Sequence, residues 1–186
     1  MSELGFWNFA TQNPSPLALV DPHMREWTRG ELLAETNKVA HGLAALGLER
    51  GDCVAVVMEN CAEFFQIYLA VTQCGLYMTP INNHLTGPEI AYIIKDSDAK
   101  VFFGSSHFTE ACQAAREELD FPSTHAFALG DIEGFPLTIR DTLPASSVRA
   151  CERGGGSYEG GVCVAFLYLA ELCIKVRRSA DGTVFM

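Results

Sequence analysis

Positive charge is scarce in this 186-residue sequence: 13 lysines and arginines stand against 23 aspartates and glutamates, a formal net charge of −10. So acidic a chain repels phosphate backbones, which argues against nucleic acid as a partner. No apolar run reaches the roughly 20 residues that a membrane-crossing helix needs. The longest, 162–174, is interrupted by Glu171. The start, "MSELGFWNFATQ", has no basic head and no long apolar stretch, so no secretory leader is expected and the reading is cytoplasmic. The seven cysteines, at 53, 61, 74, 112, 151, 163 and 173, form no C-x-x-C pair. That removes the usual zinc and redox motifs. An odd count reads as reduced thiols, most of them small buried groups. The turn after "CVAVVM" (53–58) holds no glycine, which disfavours a dinucleotide-binding fold, and no G-x-x-x-x-G-K-[ST] loop occurs.

What is present is a regular alternation. Hydrophobic residues make up 48% of the chain, as in a globular domain. Four apolar runs recur, "CVAVVM" (53–58), "LYMTPI" (76–81), "KVFFG" (100–104) and "HAFAL" (125–129). The first is continuously apolar, the pattern of a strand buried on both faces in a parallel sheet. Helix patterns separate the runs. Thr28 and Glu31 fit a capping box ahead of Leu32, Val39, Leu43 and Leu46, with Gly47 as the stop. Asn60 and Glu63 form a second box-like pair ahead of Phe64, Ile67, Tyr68 and Val71, ended by Gly75. Thr86 and Glu89 form a third, with Pro88 in the first turn, ahead of Ile90, Ile93 and Ile94. A fourth helix is expected over about 108–119. The spacing predicts an α/β fold with a parallel sheet and right-handed crossovers. "LALVD" (17–21) would add an edge strand and "FWNFATQNP" a short leading helix.

The charge changes along the chain. Residues 1–148 hold 8 basic and 19 acidic side chains, net −11, whereas 149–186 hold 5 and 4, net +1. The division expected is therefore an α/β portion over 1–148, a glycine-rich linker over 149–161 and a separate tail over 162–186. Within the linker, "ERGGGSYEGG" (152–161) has Ser157 alone, no threonine and no lysine, with Glu152 and Glu159 beside it. Carboxylates there would repel a phosphate, so the stretch reads as flexible chain.

Few residues suggest chemistry. His23, His41, His84, His107 and His125 are scattered, with no pair spaced as ligands on one helix face. His84 follows Asn82 and Asn83 in a strand-to-helix loop, where open sheets often bind ligands; the competing reading is a polar loop with cap residues. Asp96 and Asp98 form a close carboxylate pair suited to acid–base work or a cation, but turn formers at a helix end read the same way.

The islands "T-x-x-E-L", "G-L-x-x-G-D-x-V-A", "M-E-N-x-x-E-F", "G-x-Y-x-x-P-I-N" and "L-T-x-x-E-I-A-Y-I-I-x-D-S-x-A-K-V" follow one another over about residues 5–135. In that order and spacing the chain resembles the N-terminal part of the AMP-forming acyl-CoA synthetases and their adenylate-forming relatives. The resemblance implies a large α/β domain and a two-step reaction. ATP and a carboxylic or fatty acid give an acyl-adenylate and pyrophosphate, and coenzyme A then takes the acyl group. ATP, magnesium and coenzyme A are thus implied for the full-length family. In the family a Ser/Thr/Gly-rich phosphate loop, an adenine segment, a ribose-binding aspartate and a catalytic lysine all follow the region matched here. No catalytic, cofactor-binding or metal-binding residue carries over, and the tail 162–186 does not resemble the family. The expectation is a truncated, frame-shifted or fragmentary product, inactive alone and open to self-association through an exposed sheet edge. The alternatives are a non-catalytic module that pairs with another subunit, and a small-ligand-binding α/β domain using the loop Asn82–His84.

Overall fold

A computed structural model describes residues 5–139, together with the backbone of 177–178 and 184–185. The chain opens with helix α1 (Phe6–Gln12), a hairpin of β1 (Leu17–Val20) and β2 (Glu26–Thr28), and helix α2 (Arg29–Ala45). Then come β3 (Cys53–Val57), α3 (Ala62–Cys74), β4 (Tyr77–Pro80), α4 (Gly87–Asp96), β5 (Ala99–Ser105), α5 (Thr109–Glu118), β6 (Ala126–Leu129) and β7 (Leu137–Thr138). Two short strands follow far along the chain, β8 (Arg177–Arg178) and β9 (Val184–Phe185). No helix of the described residues is long and apolar enough to cross a membrane.

Strands β3 to β7 form one parallel sheet in the order β4-β3-β5-β6-β7. All five residues of β3 are buried. Val54 and Val56 point into a layer with Val39 and Leu43 of α2 and Phe64, Ile67 and Val71 of α3. Cys53, Ala55 and Val57 point the other way, against Ile90 and Ile94 of α4 and Cys112 and Ala115 of α5. Helices cover both faces, so the parallel α/β fold expected from the continuous apolar runs is the one observed. The chain moves from β3 to β4 with α3 on one face, and in the opposite direction along the sheet, from β4 to β5 and from β5 to β6, with α4 and α5 on the other. That keeps the crossovers of one hand.

The helix ends show why the segments start and stop where they do. Thr28 Oγ1 accepts from Glu31 N–H at 3.2 Å, and the Glu31 carboxylate accepts from Thr28 N–H at 2.8 Å. Glu89 accepts from Thr86 N–H at 2.8 Å and from its hydroxyl at 2.7 Å. Gly75 ends α3 at φ 71, a left-handed conformation that suits glycine. Gly87 lets α4 approach α5, because a methyl group there would run into Ala114.

Two expectations are corrected. "LALVD" does not extend the main sheet: β1 pairs antiparallel with β2 in a second sheet, because Leu19 and Trp27 pack on Leu32 and Ala62 instead of the β3–β7 core. Asn60 does not cap α3. The helix starts at Ala62 with Cys61 as its N-cap, which turns Ala62, Phe64 and Ile67 inward and leaves Asn60 exposed. Beyond the expected strands, two residues of β7 continue the sheet past β6. The expected linker over 149–161 and the apolar run 162–174 lie outside the described residues.

Two outcomes test this fold. Val56 is 1% exposed, so Val56→Asp buries an unpaired carboxylate at a cost of several kcal/mol. The variant should fail to accumulate as folded protein; native-like circular dichroism and melting would contradict the assignment. Hydrogen bonds from Thr28 and Thr86 hold Glu31 and Glu89 below the usual glutamate value of 4.5. Depressed folded-state values mean that the caps stabilise fully above that pH and lose their contribution as pH falls through the folded values. Thr28→Ala should cost about 1 kcal/mol at neutral pH, read as a shift in the urea midpoint. The gap from the parent should narrow in acid.

Candidate functional site

The topology singles out one edge of the sheet. α3 leaves β3 toward one face and α5 leaves β5 toward the other, so the carboxyl ends of these adjacent strands flank a switch point. Open α/β sheets bind ligands in such crevices. Four loops meet there, 58–61, 81–86, 106–108 and 130–132.

Glu59 and His107, each two residues past the end of its strand, meet across the crevice with Oε1 and Nδ1 3.2 Å apart. The Glu59 side chain is 27% exposed and that of His107 69%. The second oxygen, Glu59 Oε2, is buried without a hydrogen-bond partner among the described residues. A buried carboxylate oxygen of this kind calls for a donor. Ser105 Oγ accepts from His107 N–H at 3.3 Å and holds the loop, while Gly130 lies so close to Ser106 that a side chain there would overlap it. On the other flank Asn83 Nδ2 reaches the Met58 carbonyl at 3.5 Å. Asn82 Oδ1 accepts from His84 N–H at 3.0 Å, leaving the His84 ring exposed.

Cys61 also lies at this edge, at the start of α3. A helix N-terminus favours a thiolate, yet here burial dominates and pushes the thiol up to about 12. The N–H groups of Phe64 and Glu63 pull it down, and the charges of Glu63 and Glu59 push it further up. Burial likewise raises Cys112 to about 12. Both shifts disfavour the thiolate, the nucleophilic form, at neutral pH.

The residues singled out from the sequence fall as follows. Asn82, Asn83 and His84 do lie at the switch-point edge, the first two engaged in holding their loop and the β3 end. Asp98 sits in the turn between α4 and β5 at φ 48, its carboxylate accepting from Lys100 Nζ at 2.7 Å. Asp96 ends α4 and is exposed. His23 and His125 are bound up in local turns. Ser157 and the glycines around it lie outside the described residues. The Glu59–His107 pair was missed. Its only sequence signal is that both residues stand two positions past adjacent strands.

Away from this edge, a polar cleft of about 300 Å³ lies between β2, α2 and α3. Its cations are engaged: Arg25 stacks 3.8 Å over Trp27, and Lys38 pairs with Glu35 at 2.7 Å. The implied groups fit poorly. No cluster of three or more His, Cys, Asp or Glu among the described residues could hold a metal ion. None of the four loops at the switch-point edge contains lysine or arginine to meet a polyphosphate.

Comparison with known proteins extends this picture. The model of the AMP-binding enzyme family matches residues 6–140. The long-chain-fatty-acid–CoA ligase FadD13 of Mycobacterium tuberculosis is 34% identical over 116 residues, 62% of this chain and 23% of that enzyme. Crotonobetaine/carnitine–CoA ligase of Salmonella typhimurium is 30% identical over 108 residues, 58% of this chain and 21% of that enzyme. The inhibitor-bound N-terminal domain of FACL13 from M. tuberculosis superposes with a TM-score of 0.65 at 29% identity, covering 81% of this chain and 37% of that one. The chain thus spans under a quarter of the length of these curated relatives.

The thiols offer a direct check on the edge. Cys61 and Cys112 should resist iodoacetamide at pH 8 in the folded chain and label promptly in urea, read by peptide mass. Rapid labelling of Cys61 in the folded state would show that burial does not outweigh the helix N-terminus.

Proposed function

The chain belongs to the AMP-binding enzyme family, and we propose that it is the amino-terminal portion of an ATP-dependent acid–CoA ligase that does not adenylate its substrate alone. The observation that carries the reading is the family match over residues 6–140, shared with two CoA ligases over less than a quarter of their lengths. In this proposal a carboxylic or fatty acid, ATP and coenzyme A are the ligands of the whole enzyme, which works in the cytoplasm. Residues 1–148 supply α/β scaffold, 149–161 a glycine-rich linker and 162–186 a tail of a different kind.

The chemistry supports a scaffold role. Attack of a carboxylate on an α-phosphate brings two anions together. It needs cations and backbone donors to spread the charge. Residues 1–148 carry a net charge of −11, and the switch-point edge offers a carboxylate, a histidine and amides instead of lysine or arginine. Such an edge takes a hydrogen-bond donor more readily than a triphosphate. No residue of the described region is therefore assigned a step in adenylation.

The test is turnover. Purified residues 1–186 should release no pyrophosphate from ATP in the presence of fatty or aromatic acids. Acid-dependent release that Glu59→Gln abolishes would overturn the proposal and place the chemistry within this chain.

A further inference from the structure

We propose that the cleft between β2, α2 and α3 binds a small dipolar ion, with an ammonium and a carboxylate on one apolar body, as in an aliphatic α-amino acid. The cleft encloses about 300 Å³, at the lower end of what small-molecule sites hold. Gln66 carries the inference. It lies in α3, is 4% exposed and lines the cleft, and its carboxamide has no hydrogen-bond partner among the described residues. A buried carboxamide offers both donors and an acceptor, and it is costly to leave unused. A ligand in this cleft meets both functions.

Arg25 is the second element. Asp21 fixes the turn that presents it, Oδ1 accepting from Arg25 N–H at 2.9 Å and Oδ2 from Trp27 Nε1 at 3.4 Å. The guanidinium lies 3.8 Å over the Trp27 ring. Stacking uses its face and leaves its edge, and the N–H groups of that edge have no hydrogen-bond partner among the described residues. A fork held flat in this way suits a carboxylate, which it meets with paired bonds. An anion alone is disfavoured. Glu35 and Glu63 share the lining with Arg25 and Lys38, so these charges cancel, and the surrounding residues 1–148 carry net −11. A cation alone leaves the Arg25 edge and the Gln66 amino group unanswered. A dipolar ion answers all of them. Its carboxylate takes the Arg25 edge, its ammonium faces the acidic side chains and the Gln66 carbonyl, and its apolar body lies on Val39 and Ile139. The cleft is separate from the switch-point edge, and the inference does not rest on the ligase reading.

The test uses the whole chain and L-leucine as the probe. Leucine raised to about 20 mM, above the millimolar affinity expected of so small a ligand, should give saturable backbone amide shifts at 25–27, 35–39 and 63–66. Loops 81–86 and 106–108 should not move. Leucinamide lacks the carboxylate and isocaproate lacks the ammonium, and each should bind at least about tenfold more weakly. Arg25→Gln and Gln66→Leu should each weaken leucine binding by about tenfold or more. Gln66→Leu replaces an unpaired buried amide by an apolar group, so its melting temperature should hold while its affinity falls. Arg25→Gln changes an exposed side chain and keeps the test decisive if Gln66→Leu folds poorly. The absence of a saturable shift, equal binding of either analogue, shifts centred on 81–86 or 106–108, or parental affinity in Arg25→Gln or in folded Gln66→Leu would overturn the proposal.

Discussion

Strand β3 has no solvent-facing side. Val54 and Val56 enter one helical layer while Cys53, Ala55 and Val57 enter the other, and each layer exists because the strand needs it. A polar side chain anywhere along 53–57 would be stranded without water. Double burial places helices on both faces, which makes the sheet parallel and its connections long. With α3 on one face and α4 and α5 on the other, the loops after β3 and β5 must diverge, so Glu59 and His107 come to face each other at the opening. The crevice is a consequence of the core.

How far this can be read from the residues depends on the range of the interaction. The β3 run, the Thr28–Glu31 and Thr86–Glu89 boxes and the Gly75 stop are local, and each appears as written in the sequence. Asn60 misleads because a capping pattern one residue early looks as good as the true start at Cys61, and only the burial of Ala62 and Ile67 decides between them. β1 misleads for another reason. Its apolar residues look like those of any edge strand, and what sends them to a separate sheet is the packing of Trp27 on α2 and α3. The Glu59–His107 pair joins two loops far apart in the sequence, so no local pattern announces it. β7, with two paired residues, is too short to carry a period.

The acidity of the chain bears on what this unit contributes. Carboxylates cluster at the turns and helix starts, where they accept backbone N–H groups, as Glu31, Glu89 and Asp21 do. Those contacts organise the scaffold, and they leave the switch-point edge with acceptors where a polyphosphate needs donors. The relatives that share this region are four or more times its matched length. The division of labour proposed here, scaffold in this region and charge handling elsewhere in the enzyme, follows from that chemistry.

The most direct measurement is nucleotide binding followed residue by residue. Backbone amide shifts of the full 186-residue chain, recorded while magnesium and ATP are raised to millimolar levels, should show no saturable change at 58–61, 81–86 or 106–108. Saturable shifts confined to those three loops would contradict the account, because they would show that the switch-point edge binds the triphosphate by itself.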